Sequence, residues 1–187
     1  IGRLHFDANS FESNMIKARE LDLVSPKPES DLHGAGLVFP AGRHFLERYA
    51  VSMADGNLIS ITDGSHGYIC QPPEWTRAFT REYRGLPKIP MTRVGDGDPA
   101  ALWQGTRDGK TYFYLVNRCD YPVTATVSLP SGAQVQRLVT GERVGSTPLR
   151  ITLEPYALLG FVNNAGKAPT TVGLSIPESE VTALKEQ

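Results

Sequence analysis

The chain contains little cysteine. Its 187 residues include only two cysteines, Cys70 and Cys119. Neither lies in a CxxC or His-rich setting, which argues against a zinc site, and the sequence predicts no metal and no cofactor. A disulfide would join two distant parts of the chain, but two unpaired buried thiols are the expected state. The redox compartment and the localisation therefore stay open.

Long apolar runs and an excess of one charge are also absent. No run approaches the roughly 20 apolar residues of a membrane helix, and the formal net charge is −1, so neither a membrane nor a nucleic acid is an expected partner. No signal-peptide pattern is found. The chain begins at Ile1, without a starting Met and inside an apolar run, which suggests a fragment or a processed product.

Several catalytic and cofactor signatures are missing. The chain has no GxSxG, GxxxxGK[ST], GxGxxG or HExxH sequence, and the short stretch at residues 34–36 lacks the length of a phosphate loop. What the chain does have is enough apolar sequence for a packed core, since 40% of its residues are hydrophobic and 21% are charged. Disorder is therefore not expected.

The sequence pattern changes near residue 87. Before this point, short apolar runs alternate with stretches of helical spacing, in the order strand, helix, strand, helix, strand, helix. The predicted strands lie at residues 1–8, 23–25 and 58–62, and the predicted helices follow Asn9, span 41–54, and span 75–84. Repeated βα units indicate a parallel sheet covered by helices. Three units do not close a barrel, so we expect the remainder of a barrel, or another subunit, as a partner.

After residue 87, apolar residues recur at every second position. Residues 88–98 form a connector rich in Pro, Gly and Asp, and residues 99–165 contain six candidate strands. An antiparallel β-sandwich is therefore expected, with hairpin turns at Asp108–Gly109 and Ser131–Gly132. Residues 166–187 are interpreted as a linker or terminal segment that ends in a helix through Lys185. The six strands are predicted at residues 101–105, 111–117, 123–129, 134–140, 149–153 and 157–163.

Four stretches in the second half carry a resemblance to a known class. They are residues 81–87, residues 113–118 with their final Asn-Arg, Leu-Val-Thr-Gly-Glu at 138–142, and Leu-Glu-Pro-Tyr-Ala-Leu at 153–158. In this order they resemble the C-terminal β-sandwich that follows the (β/α)8 barrel in many glycoside hydrolases. The resemblance implies an α/β plus all-β fold, with the last barrel units in residues 1–87 and an accessory sandwich. It also implies a carbohydrate partner and glycosidase activity that this chain alone would lack.

Such chemistry requires two carboxyl groups, and in a barrel these lie at the C-terminal ends of strands. Asp7 and Asp63 occupy such positions and are the candidate catalytic residues. Asn9 follows Asp7, and the two side chains either contact a sugar or cap the next helix. Asp63 belongs to a loop with glycines at 64 and 67, and it either acts on substrate with His66 or bonds its own turn.

The remaining candidates are substrate-binding residues. Lys27 and Glu29 follow the second strand and either line a polar cleft or are solvated. His66 and Tyr68 would contact the sugar beside Asp63. An alternative hypothesis is a non-catalytic carbohydrate-binding or structural module, in which exposed tyrosines at positions 112, 114 and 121 form a stacking platform. Trp75 and Trp103 are expected in the core or at a domain interface.

Overall fold

The computed structural model describes Arg43 and residues 46–58, 74–145 and 148–185, and it places two helices before eight strands and one helix after them. Helix α1 is Glu47–Asp55, α2 is Glu74–Gly85 and α3 is Glu178–Lys185. The strands are β1 Thr92–Val94, β2 Ala100–Arg107, β3 Lys110–Asn117, β4 Val123–Ser128, β5 Val135–Arg137, β6 Leu149–Leu153, β7 Leu158–Asn163 and β8 Thr171–Ser175.

The strands form two antiparallel sheets. The larger sheet has the order β1-β2-β3-β7-β5 and the smaller has the order β6-β4-β8. Alternating apolar residues of both sheets face each other, as the period of two predicts, and enclose a core that includes Leu102, Phe113, Val127, Leu153 and Phe161. The predicted antiparallel β-sandwich is therefore confirmed.

One of the two predicted hairpin turns is confirmed. Asp108 and Gly109 have positive φ values of 52° and 71°, which suits the tight turn that joins β2 to β3. The hairpin predicted at Ser131–Gly132 is wrong, because β4 lies in the smaller sheet and β5 pairs with β7 in the larger one. This turn carries the chain from one sheet to the other.

One strand of the smaller sheet, β8, lies in residues 166–187, which the sequence predicted to be a linker or terminal segment. Within residues 166–187, β8 pairs with β4 along its whole length, from Thr124 opposite Ser175 to Ser128 opposite Thr171. Alternation of Val172 and Leu174, which pack against the core, explains the strand. Residues 88–98, expected to be only a connector, contain β1, which pairs with β2. The helix predicted through Lys185 is confirmed as α3.

Helices α1 and α2 lie on the outer face of the larger sheet. Their apolar residues, among them Met53, Ala54 and Phe79, pack with Tyr114 and Leu158 of the sheet in a second core. The strands predicted for the βα units lie outside the described residues, apart from Leu58. No helix in the described part of the chain is long and apolar enough to cross a membrane.

Candidate functional site

All the site residues predicted from the sequence lie outside the described residues. The structure therefore neither brings them together nor separates them, and their roles stay predictions. They are Asp7, Asn9, Lys27, Glu29, Asp63, His66 and Tyr68. The structure does describe both flanks of the segment that carries Asp63, His66 and Tyr68, since Leu58 precedes it and Glu74 follows it closely.

The upstream flank begins at the end of α1, where the sheet caps the helix. The last carbonyl groups of a helix have no partner within it. Here the Tyr114 hydroxyl donates to the Met53 carbonyl oxygen at 3.1 Å, and the Trp103 indole Nε1 donates to the Ala54 carbonyl oxygen at 3.2 Å. Gly56 follows the helix, but its φ is −153°, so it is extended and does not form the left-handed cap that glycine often provides. Side chains of the sheet provide the cap instead.

Three further contacts hold the last residue of α1 and the two residues after Gly56. The Asn57 amide donates to the Ile89 carbonyl oxygen at 2.8 Å. The Tyr83 hydroxyl, on α2, donates to the Leu58 carbonyl oxygen at 3.1 Å. Asp55 lies 3.4 Å from the Arg118 guanidinium. The end of α1 and the residues after it are therefore bonded to the sheet, to α2 and to the segment before β1.

Helix α2 is attached to the sheet by a buried carboxylate. Glu82 is 8% exposed, and one of its oxygens accepts a hydrogen bond from the Gly160 amide at 2.9 Å. Its other oxygen pairs with the Arg137 guanidinium. Because β5 ends at Arg137, the Gly160 amide has no strand partner on that side, and the carboxylate replaces it. A buried backbone donor is thereby satisfied.

Asparagines end two adjacent strands and order the turns beyond them. Asn117 is fully buried, and its amide donates to the Tyr121 carbonyl oxygen at 2.7 Å while its Oδ1 accepts from the Cys119 amide at 2.9 Å. Asn163 makes equivalent contacts with Gln134 and Lys167. The Asn that ends residues 113–117 was visible in the sequence, whereas nothing distinguished Asn163 from the surface Asn164 beside it. Both have structural roles.

The fold favours the neutral forms of three phenols and one thiol of the sandwich, whose pKa values are raised. Burial raises the pKa of Tyr114 and of Tyr156 above the usual value. A hydrogen bond with Cys119, together with burial, raises the pKa of Tyr121 to about 12, and burial raises the pKa of the Cys119 thiol. Cys119 is free and half-buried, as expected, but a raised pKa opposes thiolate chemistry. Cys70 lies outside the described residues.

The tyrosine platform of the alternative hypothesis does not form. Tyr114 is fully buried beneath α1, and Tyr112 is half-buried in the same helix–sheet core. Tyr121 packs against the core between the sheets. Trp75 and Trp103 pack in the helix–sheet core, as predicted. Among the described residues, the exposed large hydrophobic side chain is Val139, and the aromatic side chains are buried or partly buried.

The described part of the chain also lacks a group of three His, Cys, Asp or Glu side chains that could hold a metal ion. Its buried carboxylate, Glu82, is occupied by Arg137 and the Gly160 amide. The arrangement is suited to fixing helices against a sheet, and any acid–base chemistry has to come from other residues.

Comparison with known proteins gives structural matches only. No protein-family model matches the chain, and no curated protein matches its sequence. Among solved structures, a candidate alpha-galactosidase/melibiase from Bacteroides fragilis is 20% identical over 40% of this chain and 18% of its own, with a TM-score of 0.36. AmyP in complex with maltose is 18% identical over 45% of this chain and 17% of its own, with a TM-score of 0.36.

The trehalulose synthase MutB is 19% identical over 43% of this chain and 15% of its own, with a TM-score of 0.31. The chain thus spans less than a fifth of the length of these solved structures. At such identities, the sugars named for these proteins say nothing about what this chain binds. The structural matches are glycoside hydrolases, the class that the sequence motifs resemble.

Proposed function

We propose that this chain is the C-terminal part of a glycoside hydrolase-like protein, with the last units of a (β/α)8 barrel followed by an accessory β-sandwich. The remainder of the barrel comes from additional polypeptide or from another subunit, and the ligand is a carbohydrate. Asp63 and Asp7 supply carboxyl groups at the ends of barrel strands, and His66, Asn9, Lys27, Glu29 and Tyr68 contact the sugar.

The proposal rests on the position of the four motif stretches in the structure. Each contributes to the junction between the helices and the sheet: Glu82 bonds Gly160 and Arg137, and Tyr114 caps α1. Leu138 packs so close to Gly85 and Gly160 that a Cβ added at either glycine would contact it. Tyr156 is buried in the helix–sheet core. The resemblance therefore rests on residues that join a sandwich to preceding helices, which is the structural role expected of an accessory domain beside a barrel.

The burial of the described aromatic residues supports a structural role for the sandwich. A stacking surface for sugars requires solvent-facing rings, and of the tyrosines considered for it Tyr114 is fully buried while Tyr112 and Tyr121 are partly buried against the two cores. We therefore place recognition of carbohydrate in the βα units. Calorimetric titration of the 187-residue chain with soluble oligosaccharides should give no heat that depends on Tyr112 or Tyr121.

The test of the catalytic assignment uses the full-length gene product and aryl glycosides. Asp63→Asn should lower kcat/KM by at least about 100-fold, the usual contribution of a positioned acid or base. Asp108→Asn is the matched control, since Asp108 lies in the exposed β2–β3 turn and Asn tolerates its positive φ. Unchanged kcat/KM in Asp63→Asn would remove this residue from the mechanism.

A further inference from the structure

The space between the two sheets is polar at the end that lies beside the β2–β3 turn. Phe113 and Leu115 of β3 face this space, and because side chains alternate along a strand, Thr111 faces it too. Gln104 lies on the same face of β2, two positions after the buried Leu102. The apolar core of the sandwich therefore ends at a threonine and a glutamine.

Each of these two side chains has a buried oxygen without a hydrogen-bond partner among the described residues. Thr111 is 1% exposed, and its Oγ1 makes no hydrogen bond to the described part of the chain. Gln104 is half-buried, but its Oε1 is buried and is also unpaired there. A buried polar group that is left unpaired destabilises the folded state, and such groups are rare in folded proteins. We therefore expect the fold to supply a partner for both oxygens.

The neighbouring polar side chain on β7 does not satisfy Thr111. Asn163 lies opposite Thr111 in the sheet and is fully buried. Its Oδ1 accepts from the Gln134 amide at 2.8 Å and from the Ala165 amide at 3.1 Å, and its Nδ2 donates to the Lys167 carbonyl oxygen at 2.7 Å. Both lone pairs of the Asn163 side-chain oxygen are in use, so this oxygen is not available to accept from the Thr111 hydroxyl.

We propose that a single water molecule is bound between the sheets at this end, hydrogen-bonded to Gln104 Oε1 and to Thr111 Oγ1. The register pairs Gln104 with Phe113, so Gln104 and Thr111 are diagonal neighbours on one face. Diagonal neighbours lie about 7–8 Å apart, within reach of a long side chain, and a water that bonds two oxygens spans about 5.5 Å between them. Buried waters typically bond polar groups that lack a protein partner. This water site is independent of the proposed function, because its residues belong to β2 and β3.

A crystal structure of the full-length gene product, at a resolution that shows ordered water, tests the site directly. Density for one water is expected at about 2.8 Å from both Gln104 Oε1 and Thr111 Oγ1. A direct hydrogen bond between the two side chains would overturn the proposal. So would the absence of ordered density within hydrogen-bond distance of both oxygens.

Chemical denaturation of variants gives a second test. Thr111→Val removes the hydroxyl and keeps the branched shape, and it should lower the folding equilibrium constant about five- to thirtyfold, because the water loses one of its partners. Thr106→Val is the matched control: Thr106 lies opposite Thr111 on β2 and is exposed, so this change should alter the constant by about twofold at most. An unchanged or larger constant in Thr111→Val would overturn the proposal, since removing an unpaired buried hydroxyl should stabilise the fold.

A double variant tests whether the two side chains share one partner. Adding Gln104→Met to Thr111→Val should cause little further loss of stability, since replacing both polar partners by apolar groups of similar shape can be nearly neutral. A second loss as large as the first would show that Gln104 and Thr111 act independently, and the shared water site would then be wrong.

Discussion

The two faces of the five-stranded sheet are built from different chemistry. The inner face, between the sheets, is apolar at the centre of β3, where Phe113 and Leu115 point inward and the Phe113 ring stacks 5.1 Å from that of Phe161. The outer face of the same strand carries Tyr114, whose hydroxyl bonds the end of α1. Alternation along one strand therefore separates a non-polar core from a core with directed hydrogen bonds.

This difference indicates what each face specifies. Apolar packing depends on area and shape, so the inner face tolerates any close fit of similar volume. The donors on the outer face each require a carbonyl group at one place, and they find it at Met53 and Ala54. The inner face holds the sandwich together, whereas the outer face determines where the helices lie. Substitutions on the two faces should therefore differ in kind as well as in size.

The largest effect is expected from the inner face. Phe161→Ala removes a ring that is 1% exposed and leaves a cavity, which should lower the free energy of unfolding by about 3–5 kcal/mol. Chemical denaturation should show the sheets and the helices unfolding together. Val139→Ala, at a 40% exposed position, is the control and should change little. A loss below about 1 kcal/mol in Phe161→Ala would mean that the inner core repacks.

The second largest effect is expected where α2 is attached to the outer face of the sheet. Glu82→Ala leaves the Gly160 amide and the Arg137 guanidinium without their carboxylate partner. Since Arg137 keeps some access to solvent, we expect a loss of about 2–3 kcal/mol, below that for a fully buried ion pair. Glu74→Ala on the same helix is the control, because Glu74 pairs with Arg77 in the solvent and exposed pairs contribute little. Equal stabilities would show that α2 is held by apolar packing alone.

Strand alternation made the inner face predictable from the sequence. Residues 123–129 and 149–153 alternate apolar and polar side chains, and both stretches form strands of the smaller sheet. The helix stop after Arg84 was equally visible, because Gly85 and Pro87 follow it. These features depend on neighbours in the chain, so a local pattern is sufficient to find them.

Features that depend on distant partners were not predictable in the same way. β8 is five residues long and has only two apolar residues, on either side of a glycine, so its alternation was too short to predict a strand without its partner β4. The strand expected at residues 134–140 ends at Arg137 because the chain turns there, with the Gly141 amide donating to the Arg137 carbonyl oxygen at 3.0 Å. The cap of α1 comes from residues 49 and 61 positions later in the chain. The predicted sugar-binding residues lie outside the described structure and stay predictions.

A smaller effect concerns how closely the helix approaches the outer face. A Cβ at Gly160 would lie 3.0 Å from both Leu138 Cδ1 and Leu86 Cδ2, so Gly160→Ala should destabilise by about 1 kcal/mol, since crowding outweighs the better strand propensity of Ala. Gly85→Ala is the matched change on α2, where the nearest contact is the exposed Val139 at 3.3 Å. It should be neutral or slightly stabilising, and denaturant midpoints measure both. If the two variants unfold alike, the fit at Gly160 is looser than described.

The smallest expected effect concerns the ionisation of two tyrosines, Tyr114 on the outer face and Tyr121 beside the inner core. Burial raises the pKa of Tyr114, whereas Tyr121 has a pKa of about 12 chiefly because of its hydrogen bond with Cys119. A raised pKa means that the fold favours the neutral phenol. Its stabilising contribution is therefore complete below pH 10, the unfolded value, and is lost as the pH rises towards 12.

Denaturation between neutral pH and pH 12 should accordingly show stability falling above pH 10, and Tyr121→Phe should make that fall shallower. In Cys119→Ala the phenol has lost its partner, so its ionisation, followed by ultraviolet absorbance, should move back towards pH 10. Tyr114 should ionise only as the protein unfolds in both variants, because burial under α1 is unaffected by Cys119. A Tyr121 that titrates near pH 10 in the parent protein would show that the hydrogen bond with Cys119 does not persist in solution.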